Sequence, residues 1–366
     1  MKRILFFIGI ATLLGVAFSC SKSGSKGGGS TTTGNSDSVL VTIGNQLILP
    51  AYQHLALAAN ALDSAIIDFK GGPTATKLGN VQALFKTAYL GWQMVSPFDY
   101  LGPASTAQPV LAAINVFPTN SILIDSNVRA GNNNIMSFAN TAARGFPALD
   151  YLLFGGGANT LTLYTTDAAA GNRLAYLAAV AADINTETIA VNNGWAPGGG
   201  GYINTFVNGS GNSVSSSLGL LINSMDEDLE ILKNDRLGIP LGLIPVGVVS
   251  PVLPKEVEAY YSGISVQLAL AQLKAIQSVY SELSTYLINA KTTYNGGMLS
   301  DTIRVAFATA VTDLQAVPDP LATTLQTSTA GAQTAFAQTQ KLVALLKTDL
   351  PSALGVLITY GDNDGD

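Results

Sequence analysis

Apolar residues recur along the chain at alternating steps of three and four. From Tyr52 the stripe runs Tyr52, Leu55, Ala59, Leu62, Ile66 and Phe69, and after "GGPTAT" it resumes as Leu78, Val81, Phe85, Ala88, Trp92 and Val95. That spacing puts each set on one face of an α-helix, and the break between them predicts an antiparallel helix pair. Similar stripes follow: Leu174, Leu177, Ala181 and Ile184; Ile264, Leu268, Ala271 and Ala275; Ile303, Phe307, Ala310 and Leu314; Ala332, Ala335, Thr339, Leu342 and Leu346. Their alanines suit close helix packing. Period-two strand patterns are short and scarce, as in "LGLIPVGVVSPVL" (241–253). The pattern therefore predicts an all-α protein of helix bundles. Its largest interruption is residues 192–213, too glycine-rich for a helix, and a domain junction is expected there if the bundles are two.

The first twenty residues, "MKRILFFIGIATLLGVAFSC", break the amphipathic pattern. Two basic residues, an apolar run too short for a comfortable span and a small residue before Cys20 read as a secretory signal. "AFSC" resembles the lipobox of bacterial lipoproteins, which would make Cys20 the lipidated first residue of the mature chain and a membrane its first partner. Cys20 is the only cysteine, so no disulfide within the chain competes for it. The Gly- and Ser-rich stretch after it reads as a flexible tether, giving a signal over residues 1–19, a lipidated tether over 20–37 and a folded body from 38.

Composition narrows the chemistry. With 366 residues, 48% hydrophobic, the chain can bury one large core or two medium ones. Charged residues are only 11% and the net charge is −6, which argues against nucleic acid as a partner. A single histidine, His54, excludes HExxH proteases and multi-histidine metal sites within one chain, and it lies off the centre of its stripe, where a flank or solvent position is expected. Gly198 to Gly201 lack the Lys-Ser/Thr pair of a phosphate loop. "GDNDGD" (361–366) starts like a calcium loop but has no distal glutamate, so it reads as a solvated acidic terminus. "MDEDLE" (225–230) spaces Asp226 and Glu230 one helical turn apart, which could bind a hard cation but reads first as a solvated helix face.

Several stretches together resemble the imelysin-like family of bacterial extracytoplasmic proteins, known as a peptidase family. They are "LPAYQHLALAANALDSAIIDFKGGPT", "LGWQMVSPFDYLGP", "VFPTNSILID", "KEVEAYYSGISVQLALAQLKAIQSVY" and the terminal "LGVLITYGDNDGD". The resemblance implies two helical-bundle halves, here 38–205 and 206–366, packed against each other with a site where they meet. It also implies a cell-envelope location, periplasmic or outer-membrane associated, and a link to iron uptake and its proteins in some relatives. A divalent metal or iron would be the cofactor to consider.

The family's hallmark is Gly-x-His-x-x-Glu. "GFPALD" stands in its place, with Gly145 kept, Pro147 for the histidine and Asp150 for the glutamate. Proline has neither a lone pair to coordinate with nor a titratable group, so the inherited nitrogen-ligand and proton-transfer chemistry is lost. Proline suits a first helical turn, which predicts a helix starting at or just before Pro147 with Asp150 in or near that turn, steadied by the helix dipole. On a buried face, though, the carboxylate needs a partner: a backbone N–H cluster, an arginine, a ligand or a pocket. Glu258 and Ser262, which match the family's second-half Glu-to-Ser helix start, are candidates for the facing wall, and Arg144 is near in sequence. Three readings follow: a non-catalytic ligand- or metal-binding lipoprotein, a metal-dependent peptidase using carboxylates alone, or an interaction protein with no small-molecule site.

Overall fold

The computed structural model describes residues 36–102, 114–245 and 251–359. The signal, Cys20, most of the tether and "GDNDGD" lie outside them. The last tether positions, from Ser36, are already helical, in a segment Ser36–Thr42 that runs on through a wider turn into the first long helix.

The described residues lie within one compact unit, Gly34–Asp366, and are almost entirely helical. The principal helices are α1 (Leu49–Gly71), α2 (Ala75–Val95), α3 (Ser121–Ala130), α4 (Gly145–Phe154), α5 (Ala170–Trp195), α6 (Tyr202–Asn208), α7 (Ser217–Ile231), α8 (Ser265–Ala290), α9 (Leu299–Gln315) and α10 (Ala330–Ala344). Every residue of the Tyr52-to-Phe69 and Leu78-to-Val95 stripes is buried, and α1 and α2 pack against each other as the sequence predicts. Burying each Leu, Ile or Phe of such a stripe stabilises by about 1.5–3 kcal/mol, which is what holds the pair together. The turn between them ends on the Thr74 side chain, which accepts from the Lys77 N–H at 3.3 Å as an N-cap.

α5 packs on α1 and α4, while α8 packs on both α9 and α2, so early and late helices share one apolar core. The only strands among the described residues are a two-residue hairpin, Thr293–Tyr294 with Gly297–Met298. "LGLIPVGVVSPVL" forms no strand in its described parts, and its central residues 246–250 lie outside them.

Two expectations are corrected. Residues 192–213 are not helix-free: α5 continues to Trp195, and α6 rises directly after Gly201, whose φ of 66° turns the chain back. The glycine run itself makes the tight turn, where a Cβ at Gly199 would come 2.2 Å from the Asn193 carbonyl. The position between residues 205 and 206 falls inside α6. The acidic run is not a solvated face either: Asp226, Asp228 and Glu230 are 0%, 3% and 1% exposed. Asp228 is met from distant segments, and Glu230 by one local lysine and one distant one. Gln272 Nε2 donates to Asp228 Oδ1 at 2.7 Å, Ser96 Oγ to Oδ2 at 3.1 Å, and Lys233 and Lys347 pair with Glu230 at 2.7 and 3.2 Å.

Candidate functional site

The local sequence of α4 explains how its carboxylate is aimed. Gly145 has φ 75°, and a Cβ there would meet the Ile114 carbonyl oxygen at 2.4 Å, so only glycine lets the helix begin against that strand of chain. Pro147 is the third helical residue, where an N–H would lack an intrahelical partner in any case. Asp150 then falls in the second turn, not the first, and the dipole of the helix start is not what holds it.

It is held by backbone from the far end of the sequence. The Tyr261 N–H donates to Asp150 Oδ2 at 2.8 Å and the Ser262 N–H to Oδ1 at 2.9 Å. Two successive N–H groups converge on one carboxylate because the chain doubles back over residues 258–263. Ala259 sits at φ 54°, Gly263 at φ 68°, and the Gly263 N–H closes the turn on the Ala259 carbonyl at 3.0 Å. Such a concavity of N–H dipoles is a natural anion seat. Glu258 and Ser262 thus belong to the turn preceding α8, which begins at Ser265; the expected Glu-to-Ser helix start is corrected to a cradle.

Asp150 is 2% exposed. Burial pushes its carboxyl up to about 6, against the pull of the Ser262 hydroxyl and the two N–H groups, and the nearby Glu258 charge adds to the rise. It is therefore mainly an anion at neutral pH and takes up a proton in mildly acidic solution.

A cleft of about 560 Å³ opens beside it. One wall is Phe117, Pro118, Thr119 and Ser121, leading into α3; the base carries Pro147 and Asp150 of α4; the opposite wall is Lys255, Glu256, Val257, Ala259, Tyr260 and Tyr261. The Tyr261 ring packs 5.0 Å from both Tyr151 and Tyr260. Tyr151 in turn donates to Asp125 at 2.6 Å, and Arg173 donates to the other oxygen of Asp125 at 2.8 Å.

Glu258 does not line this cleft. It lies behind the cradle, 1% exposed, with Arg236 Nε 2.7 Å from Oε2. Around Oε1 stand Asn115 Nδ2 at 2.8 Å, Tyr89 Oη at 3.0 Å, and Gln93 Nε2 and Arg236 Nη2 at 3.3 Å. Arg236 also bonds Gln272, which reaches Asp228, so the network extends to α7. Burial is the main cause that raises the Asp228 carboxyl to about 7, offset in part by the Arg236 charge.

Of the sequence candidates, then, Asp150 and Pro147 line the cleft, while Ser262 reaches Asp150 through its N–H without lining it and Glu258 is buried away from it. Arg144 is not brought to them: its guanidinium grips Asp183 of α5 with contacts of 2.7 to 3.0 Å. His54 is exposed. Sequence reasoning missed Arg236, Asn115, Tyr89 and Gln93, which surround Glu258, and the Asp125–Arg173 pair. Only Asp125 had a signal, as the acid of "VFPTNSILID".

The residues here do not fit a metal ion. The Pro147 side chain offers no ligand atom, Asp150 already accepts two N–H bonds, Glu258 is charge-paired with Arg236, and Glu256 is the one further carboxylate of the lining. Among the described residues, no group of three or more His, Cys, Asp or Glu side chains is placed to hold one.

The family model for imelysin, peptidase M75, matches residues 48–348. A comparison with curated protein sequences finds no match. Two solved structures share the fold. One, from Parabacteroides distasonis ATCC 8503 and provisionally named an iron-regulated protein A precursor, has a TM-score of 0.68 at 17% identity, over 89% of this chain and 97% of the other. An imelysin-like protein from Psychrobacter arcticus 273-4 gives 0.66 at 20% identity with the same coverages.

Proposed function

The chain belongs to the imelysin family, and on that premise we propose that it is a non-catalytic member: an extracytoplasmic lipoprotein, tethered through Cys20, that binds a small ligand in a system of iron handling. The observation that carries the reading is the cleft of about 560 Å³ with the buried Asp150 at its base and Pro147 beside it, the position at which the resemblance expects a histidine. That volume lies in the range of small-molecule sites, and a buried charged group at the base gives an orienting contact. The lining has no histidine or cysteine, and of its two carboxylates, Asp150 and Glu256, the first already accepts two backbone N–H bonds, so a water-activating metal lacks the three protein ligands it would need. The iron connection is supported by the name of the Parabacteroides relative, and the location by the lipobox-like start.

The test is a thermal-shift screen of the mature chain against metal ions, amines, carboxylates, sugars and nucleosides, followed by calorimetry on the hits. Ser121→Trp, which places an indole in the cleft, is the blocking variant. Binding by the parent that falls at least tenfold in Ser121→Trp supports the cleft as the site; binding unchanged in that variant refutes it. Chelator-sensitive peptide cleavage lost in Asp150→Ala would overturn the non-catalytic reading. The tether is tested by Cys20→Ala, which is expected to move the protein from the membrane fraction to the soluble one.

A further inference from the structure

Resting on the ligand-binding reading above, we propose that the cleft takes a small organic ammonium ion, its N–H groups on Asp150 and its apolar body against Phe117, Tyr260 and Tyr261.

The charge pattern is the first reason. The arginines in this part of the molecule are committed to other acids: Arg144 to Asp183, Arg173 to Asp125 and Arg236 to Glu258. Asp150 has two backbone N–H groups as its hydrogen-bond partners and no cation paired with it, although it is 2% exposed. A carboxylate is an acceptor only, with about four lone-pair positions, so the two N–H bonds leave Asp150 with acceptor capacity beside the cleft it lines. A cation carrying its own donors satisfies both the charge and the vacant acceptor position, where a neutral alcohol satisfies one and an anion neither.

The second reason is the walls. Phe117, Tyr260 and Tyr261 line the cleft with Asp150, and aromatic faces attract ammonium through the ring quadrupole. Phe117 already serves a cation in this way on the protein's own side, with the Arg236 guanidinium 5.9 Å from its ring centre. At the rim, exposed Lys255 is followed by Glu256, so the entrance carries both signs and does not repel a cation as a lysine alone would.

The probe is tyramine, titrated by calorimetry into the full mature chain beside its neutral relative 4-ethylphenol and its anionic relative 4-hydroxyphenylacetate, at pH 7.5 and 5.0. Tyramine is expected to bind at least tenfold more tightly than either relative at pH 7.5. Its affinity should fall about tenfold at pH 5.0, because a carboxyl titrating near 6 is then roughly nine-tenths protonated. Asp150→Asn should weaken tyramine by a similar factor and leave 4-ethylphenol unchanged. If Asp150→Asn does not fold, the pH series on the parent and Tyr260→Leu, expected to weaken tyramine several-fold, carry the same question. Equal binding of tyramine and 4-ethylphenol, preference for the anion, an affinity unchanged at pH 5.0, or no tyramine binding at millimolar concentration overturns the inference. The Ser121→Trp screen decides separately whether the cleft is a ligand site at all.

Discussion

Asp150 and Glu258 are both buried carboxylates tied to one turn, yet their surroundings differ in kind. Glu258 is enclosed by Tyr89, Gln93, Asn115 and the guanidinium of Arg236, with no share in the cleft. Asp150 has two backbone N–H groups, no cationic partner among the ion pairs of the described residues, and an open space beside it. The difference teaches how to tell a carboxylate that holds a fold from one that can receive a ligand. The first has its charge matched within the chain, while the second has its position fixed by backbone and its charge left for something else.

The comparison is broken most forcefully at Arg236. Arg236→Met leaves Glu258 buried without its counter-charge and is expected to cost about 3–5 kcal/mol in denaturant unfolding. A loss below about 1 kcal/mol would show that the network does not support the fold. Gly145→Ala should cost about 3 kcal/mol by the same measurement, since a Cβ at φ 75° is strained and must also displace the Ile114 carbonyl. Asp150→Ala is expected to cost less, about 1–3 kcal/mol, because it strands two N–H groups but no charge. A larger loss there than at Arg236 would reverse the contrast between the two carboxylates.

Asp228, at the far end of the Glu258 network, gives a pH-dependent test. Its folded-state carboxyl titrates near 7, against an ordinary value of 3.8, so between those limits the folded protein holds a proton that the unfolded chain releases. The stability this contributes is fully present below pH 4 and lost as pH rises through 7, at about 1.4 kcal/mol per pH unit in the window. Asp228→Asn should flatten the stability profile between pH 4 and 7 by that slope, measured as unfolding free energy against pH. The smallest effect is expected at exposed His54, where His54→Ala should change stability by less than about 0.5 kcal/mol and leave any ligand affinity unchanged.

The helix stripes were legible because burial on a helix has a period that survives in one dimension: the Tyr52 and Leu78 series were read in full and are buried in full. The start of α4 was legible too, from Gly145 and Pro147. What misled were residues whose meaning depends on a distant partner. "MDEDLE" looks like a solvated face by composition, but Ser96 and Gln272 reach Asp228 and Lys347 reaches Glu230 from far along the chain, with Lys233 adding a local pair, so both carboxylates are matched in the interior. Arg144 looks adjacent to Asp150 by number, but at a helix start its side chain leaves toward α5 and Asp183.

By itself, then, the sequence determined that this protein is helical, where most of its apolar faces lie, and that residues 145–150 carry a proline and an aspartate but no imidazole, since these depend on local periodicity and on the identity of single residues. The tertiary structure decided that Asp150 sits in a seat of two N–H groups supplied more than a hundred residues later, and that Glu258 is neutralised behind it. The reason is physical: a side chain's periodicity is written in its neighbours along the chain, but the partner that satisfies a buried charge is chosen by packing.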